Sequence, residues 1–135
     1  MNYAFRLTKG KDLRKEIEKY VKDNKIESGV IKSAVGCVSE VYIRLAGGKD
    51  YYHKVGEHEI VSVTGTLSRN DCHLHISFAD NNGNVVGGHL KEGCIVSSTA
   101  EICLESFKEY TFDRILDENT GYEELVIINK GKLRI

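Results

Sequence analysis

The chain has 135 residues, a net charge of −1 at pH 7 and a hydrophobic fraction of 41%. That length is typical of a single domain with its own core, here residues 1–135. The near-neutral charge disfavours a protein that binds nucleic acid through a basic surface, because phosphate contacts supply much of the affinity of such proteins.

No apolar run approaches the roughly 18 residues of a membrane span. The first residues, "MNYAFRLTKG", lack the apolar core of a signal peptide. We therefore expect a cytoplasmic protein that makes no contact with a membrane.

The predicted elements begin with a short strand at "FRLTKG" and continue with one helix. Apolar residues recur at helical spacing at Leu13, Ile17, Tyr20 and Val21. Asp12 lies at the start of this pattern, where a negative charge suits the helix dipole. The sequence therefore predicts an amphipathic helix near the N-terminus.

Most of the remaining sequence predicts strands. Residues 29–45 are rich in β-branched side chains, and Gly36 within them predicts a bend or bulge. Residues 93–116 predict one or two strands, and residues 121–128 predict the last. One helix followed by many strands indicates an α+β fold, a mostly antiparallel sheet flanked by one main N-terminal helix.

A loop is predicted between two of these strands, at residues 47–57, "GGKDYYHKVGE". It would leave His53 and His58 as ordinary surface residues in or near the loop. Residues 58–68 predict a strand with two alternating faces, one with Ile60, Ser62 and Thr64 and the other with Val61, Val63 and Gly65.

The chain has four cysteines, and no two of them form a C-x-x-C pair. In a reducing cytoplasm disulfides are disfavoured. We expect the cysteines to be small buried hydrophobic residues; they are Cys37, Cys72, Cys94 and Cys103.

Three of the five histidines lie in "HLHISFADNNGNVVGGHL", residues 73–90. A hairpin loop of Asn82 and Gly83 alone would mix apolar and polar faces. A three-residue loop, Asn81 to Gly83, places Phe78 opposite Val86 and His75 opposite His89, which keeps each face consistent. Glycine also suits the last, left-handed position of such a loop.

In that register the Cβ atoms of His75 and His89 lie about 4.5–5.5 Å apart, with His73 diagonal at about 7–8 Å. Three neutral imidazoles can converge on one divalent cation, and zinc bound by three histidines keeps an open position for water. The sequence thus predicts a metal site of His73, His75 and His89, which Glu101 or Glu92 could complete. The alternative is a polar strand face that binds no ligand.

The same stretch carries a family resemblance. "GTLSRNDCHLHISFADNNGNVVGGHLKEGCIVSSTAEI" resembles the core of the plants-and-prokaryotes-conserved (PPC) domain, also described as a PD1-like DNA-binding domain. "GEHEIVSV" and "FRLTKGKDLRKEI" are similar to its upstream segments. The core motif spans residues 56–103, and residues 129–135 are expected to form a flexible tail.

This resemblance implies an antiparallel sheet flanked by helix, assembly as a homotrimer, and the three histidines as a metal or ligand site. In plants the domain occurs beside AT-hook segments that bind AT-rich DNA. An AT-hook needs an R-G-R-P-like core, and this sequence has no proline.

Three hypotheses follow, in order of preference. The first is a trimeric regulatory or assembly module that associates with DNA through a partner. The second is a zinc-dependent enzyme or small-molecule binder that uses His73, His75 and His89 as ligands and Glu101 as an acid or base. The third is direct DNA binding by the bare domain. The sequence leaves the substrate and any catalytic activity open.

Overall fold

The structure, a computed structural model, describes residues 1–132. Its elements in chain order are β1 (Asn2–Thr8), α1 (Leu13–Asp23), β2 (Ser28–Arg44), β3 (Tyr51–Ser68), β4 (Cys72–Ala79), β5 (Val85–Leu90), β6 (Ile95–Ser106), β7 (Tyr110–Leu116), β8 (Glu123–Asn129) and a 3-10 turn (Lys130–Lys132).

The predicted amphipathic helix is confirmed as α1. Leu13, Ile17 and Val21 are buried along one face, and Tyr20 stacks on Phe5 of β1 with ring centroids 3.9 Å apart. The helix begins after Asp12, which is its N-cap and whose carboxylate accepts a hydrogen bond from the Lys15 backbone N–H at 3.1 Å. A polar N-cap satisfies a backbone donor that the first turn leaves unpaired.

The strand pairings among the described residues are all antiparallel, which confirms the α+β prediction. The main sheet has the order β1-β6-β2-β3-β4-β5. The end of β2 also pairs with β5, Ile43 opposite Leu90 and Arg44 opposite His89. Strands β2 to β5 therefore close into a ring, while β7 and β8 form a separate two-stranded sheet.

One cluster of buried apolar side chains connects α1 to the sheet. Strand β4 contributes Leu74, Ile76 and Phe78, and Leu74 and Phe78 have no exposed surface. Since successive side chains of a strand point to opposite faces, burial of these three directs the alternate residues of β4 away from the core.

Bulges interrupt the two longest strands. The pairing of β2 with β6 shifts register between Gly36 and Val38, where Gly36 predicted a bend. The pairing of β3 with β4 shifts after Ile60, and Ile60 and Val63 are both buried while Val61 is 53% exposed. The predicted simple alternation along residues 58–68 is therefore wrong, because an extra residue changes the phase of the strand.

The loop predicted at residues 47–57 is also wrong, because β3 already begins at Tyr51. The turn is shorter, and the Leu45 N–H donates to the Asp50 carbonyl at 2.8 Å. Tyr42 of β2 contacts the rings of Tyr51 and His53, with centroids 5.8 and 5.3 Å away. Such cross-strand aromatic contacts stabilise paired strands. Pairing with β2 therefore keeps the first residues of β3 in an extended strand, within the region predicted to be a loop.

The two histidines assigned to that region differ from each other. His53 is exposed, and its Nε2 lies 2.6 Å from the carboxylate of Glu40. His58 is only 3% exposed, its Nδ1 lies 2.8 Å from the Gly56 carbonyl oxygen, and its ring meets that of Phe78 edge-on. The prediction of an ordinary surface residue is wrong for His58.

The four cysteines are all free. Cys72 and Cys94 are buried, as predicted, whereas Cys37 is half-buried and Cys103 is exposed. Cys103 lies in β6, where the alternation that buries Ile102 and Leu104 turns it outward.

At the C-terminus, Asn129 ends β8 and the 3-10 turn follows. The rest of the tail expected at residues 129–135 lies outside the described residues. Among residues 1–132, no helix has the length and apolar character needed to cross a membrane.

Asp80 organises the turn between β4 and β5. Its side-chain oxygen accepts hydrogen bonds from the backbone N–H groups of Asn82 and Asn84, both at 2.9 Å. These bonds lower the pKa of Asp80 below its ordinary value. The ionised carboxylate therefore stabilises the folded turn at neutral pH, and this contribution is lost as the pH falls through the lowered pKa.

We expect Asp80→Ala to lower the Tm at about pH 7 and to lower it less at about pH 2.5, where the wild-type carboxyl is also protonated. Thermal unfolding followed by circular dichroism at both pH values measures this. Asp80→Asn is the control, because it keeps an acceptor without a charge. A deficit in Tm that is equal at both pH values would contradict the role of the ionised carboxylate.

Candidate metal centre

The β4–β5 hairpin has the predicted register. His75 lies opposite His89 and Phe78 opposite Val86. Asn81 to Gly83 form the loop, the Gly83 N–H donates to the Asp80 carbonyl at 2.9 Å, and Gly83 has a φ of +80°. A left-handed glycine at that position is what a three-residue hairpin loop requires.

The three histidines of the hairpin meet on its outer face. The ring centroids lie 4.8 Å apart for His73 and His75, 5.5 Å for His73 and His89, and 5.6 Å for His75 and His89. One ring nitrogen from each lies within 4.8 Å of the other two. The sequence thus correctly predicted that these side chains converge.

The surroundings of His73 and His89 favour neutral imidazoles. Partial burial, together with the charge of Arg44, lowers the pKa of His89 to about 4. Partial burial and the charge of Arg114 also lower the pKa of His73. A neutral imidazole keeps a free lone pair on one ring nitrogen, which is the form that binds metal ions.

A cavity of about 450 Å³ lies beside the histidines. His73 and His89 line it, whereas His75 borders a smaller adjoining hollow of about 120 Å³ with Thr64, Gly65 and Thr66. The other residues that line the larger cavity are Arg44, Asp71, Cys72, Arg114, Tyr122, Glu123 and Glu124.

The sequence comparison assigns the fold to a known family. Residues 1–108 match the Plants and Prokaryotes Conserved (PCC) domain. The chain belongs to the PCC domain family. This confirms the family resemblance of the hairpin motif.

Curated relatives of this PCC domain include the bifunctional protein GlmU of Synechococcus sp. strain JA-3-3Ab, which is 40% identical over 125 residues. The match covers 93% of this chain and 20% of GlmU. The chain therefore spans about a fifth of the length of that relative.

Solved structures share the fold over nearly the whole chain. A hypothetical protein from Salmonella enterica is 31% identical with a TM-score of 0.92, and the match covers 96% of this chain and 94% of that one. The metal-containing protein AF0104 from Archaeoglobus fulgidus is 28% identical with a TM-score of 0.76, and the match covers 93% of both chains.

A candidate DNA-binding protein from Bacteroides thetaiotaomicron is 24% identical with a TM-score of 0.84, and the match covers 93% of this chain and 91% of that one. At that level of identity the likeness shows the fold alone.

The hairpin of β7 and β8 follows the residues that match the PCC domain, yet it forms one side of the cavity. It contributes Arg114, Tyr122, Glu123 and Glu124. These residues lie about 40 or more positions after His73 and belong to no motif of the histidine hairpin. Only the packing of β7 against the sheet brings them there, so local sequence patterns carry no signal for them.

The two glutamates considered as additional ligands lie elsewhere. Glu101 is in β6, opposite Arg6 of β1 and Val35 of β2. Glu92 is an exposed partner of Lys15, at 3.9 Å. Neither lines the cavity, whose carboxylates belong to other residues: Asp71, Glu123 and Glu124.

Cys72, the neighbour of His73, also lines the cavity. Burial raises the pKa of its thiol to about 12. Because the thiolate is the form that binds metals and attacks electrophiles, Cys72 stays a protonated, structural residue at neutral pH.

Gly88 allows β5 to approach β2 closely enough to position His89. A Cβ atom at Gly88 would lie 2.5 Å from the Arg44 carbonyl oxygen. We expect Gly88→Ala to lower the free energy of unfolding by about 1–3 kcal/mol, because the strands must move apart. Urea unfolding of the metal-free protein measures this.

Val85→Ala is the control for Gly88→Ala, since Val85 lies in the same strand with a side chain that is 62% exposed. We expect it to change stability by less than about 0.5 kcal/mol. If Gly88→Ala were as stable as the wild type, the close approach of β5 and β2 would not require a glycine at position 88.

Proposed function

We propose that this PCC domain binds a divalent metal ion, zinc, through His73, His75 and His89. The observation that carries the proposal is the convergence of three imidazole nitrogens within 4.8 Å of one another. The description of the Archaeoglobus relative as a metal-containing protein supports it.

The donor set suits zinc better than magnesium or calcium, because imidazole nitrogen is a preferred zinc ligand whereas the other two ions select oxygen. Zinc–nitrogen bonds of about 2.0–2.1 Å in a tetrahedral site put the nitrogens about 3.3 Å apart. Binding would therefore draw the three nitrogens, which lie within 4.8 Å of one another, closer together.

Three protein ligands leave a fourth position of a tetrahedral ion free for water or a ligand. The cavity beside His73 and His89 gives this position access to small molecules. The proposed site is therefore of the open, ligand-binding type rather than the closed, structural type.

We expect the protein, expressed without a histidine tag, to contain about one zinc per chain by elemental analysis. His75→Ala should weaken zinc binding by more than about 100-fold, since even the loss of residues that support the ligands costs 10–100-fold. Competition with a chromophoric chelator measures the affinity.

His53→Ala is the matched control, because it removes an exposed histidine of β3 outside the trio. It should bind zinc as the wild type does. A metal-free preparation that also takes up no added zinc would overturn the proposed function.

We further propose that the domain assembles as a homotrimer. The family resemblance supports this, as do the exposed valines of the sheet, among them Val35 in β2 and Val61 in β3, each more than half exposed. Exposed apolar surface of this kind marks association sites when it is contiguous.

Light scattering coupled to gel filtration should give three times the chain mass of 15.1 kDa, and the mass of a monomer would contradict the proposed trimer.

Association with DNA stays a prediction. The net charge of −1 gives a nucleic-acid backbone little electrostatic attraction. The charged groups beside the histidines line a cavity of about 450 Å³ rather than an extended basic surface. The geometry therefore favours a small ligand at the histidine site over a nucleic-acid backbone. Gel shifts across salt concentrations test for DNA binding, which weakens as salt rises when phosphate contacts supply the affinity.

A further inference from the structure

Arg114 is a buried cation that has no counter-charge among the described residues. Its side chain lies in β7 and the residue is only 8% exposed. Nη2 donates to Thr66 Oγ1 at 2.8 Å, whereas Nε is buried and has no hydrogen-bond partner among the described residues. The neighbouring carboxylate, Asp113, pairs with Arg69 at 2.6 Å instead.

Within residues 1–132, no carboxylate forms an ion pair with Arg114. Removing a guanidinium from water costs free energy unless an anion and hydrogen-bond acceptors replace the water. The side chain lines the cavity, so an anion that enters the cavity can supply what the protein does not.

The position of Arg114 ties it to the histidines. Its partner Thr66 lies directly opposite His73 in the pairing of β3 with β4. Arg44, which lines the same cavity, lies directly opposite His89 in the pairing of β2 with β5. Each of the two histidines that face the cavity therefore has a guanidinium nearby.

We propose that the cavity binds a small organic acid, whose carboxylate contacts Arg114 and Arg44 and whose neighbouring oxygen reaches the open position of the metal. The metal contact rests on the proposed function, whereas the arginine contact does not require a metal. The planar fork of a guanidinium matches the two oxygens of a carboxylate. A cavity of about 450 Å³ falls within the usual size of small-molecule sites.

The charges around the cavity favour a monoanion. Two guanidinium groups and three carboxylates line it, which gives a net charge of −1 that a divalent cation changes to +1. One of the carboxylates, Asp71, lies 3.4 Å from the guanidinium of Arg14. Phosphate and other polyanions meet Glu123 and Glu124 at the same cavity and are disfavoured by repulsion.

Cobalt(II) in place of zinc tests the proposal, because its visible absorption responds to a change of ligand. Lactate is the carboxylate probe, lactamide is its neutral counterpart, and inorganic phosphate is the polyanion. With the 135-residue chain, we expect lactate to change the spectrum saturably. Lactamide should bind at least about tenfold more weakly, as the loss of a charge-assisted hydrogen bond predicts. Phosphate should also bind more weakly than lactate, because Glu123 and Glu124 repel its additional negative charge.

Arg114→Gln should weaken lactate binding by about tenfold or more and leave cobalt affinity nearly unchanged. Arg6→Gln is the matched control, since Arg6 is exposed and donates to Thr99 Oγ1 at 2.9 Å, away from the cavity. If Arg114→Gln does not fold, Arg44→Gln takes the same test, because Arg44 is only partly buried.

The proposal is overturned if lactamide binds as well as lactate, if phosphate binds more tightly, or if the folded arginine variants bind lactate as the wild type does. Saturation-transfer NMR of lactate with the metal-free protein separates the two proposals. If lactate contacts the metal-free protein and Arg114→Gln abolishes that contact, the carboxylate site is supported. A failure of cobalt to bind would then contradict only the metal proposal. No lactate contact with or without cobalt overturns the carboxylate site.

Discussion

The pairing of β5 with two strands at once is the constraint on which the site depends. On one edge of β5, His89 lies opposite His75 of β4. On the other edge of β5, it lies opposite Arg44 of β2. A slip of one residue in either pairing would turn the His89 side chain to the other face of the sheet. Closure of the ring of strands therefore fixes both the meeting of the histidines and the arginine beside them.

Burial on one face of β4 produces the polar site on the other. Leu74, Ile76 and Phe78 hold the strand against the core, and the period of two turns His73 and His75 outward. The strand is thus both a core element and the base of the site. Partial burial lowers the pKa of His73 in β4 and of His89 in β5, and both side chains line a cavity of about 450 Å³.

The site combines parts with different origins in the chain. The imidazoles come from one hairpin with a short loop, so a few residues of sequence decide their geometry. Arg114 and Glu124 come from β7 and β8, which pack on the sheet from beyond the residues that match the PCC domain. Variation in that second hairpin therefore changes the lining of the cavity without changing the three histidines.

The incorrect predictions along β3 have a common cause. The bulge after Ile60 changes the phase of β3, and the pairing of Tyr51 and His53 with β2 extends a strand into a predicted loop. Neither effect is visible in the local sequence. The local pattern therefore predicts a surface position for His58, which is buried where β3 pairs with β2. In each case a partner strand that is distant in sequence decided the conformation, and such pairings outweigh local β-propensity.

Local patterns in the sequence were sufficient to predict the helix, the antiparallel β-rich fold and the register of the histidine hairpin. They were sufficient because these features follow from local periodicity and from a loop that needs glycine at one position. The closure of β5 on β2, the carboxylates of the cavity and the position of Arg114 depend instead on tertiary contacts. Those contacts join residues that are tens of positions apart, and no short-range pattern in the chain encodes them.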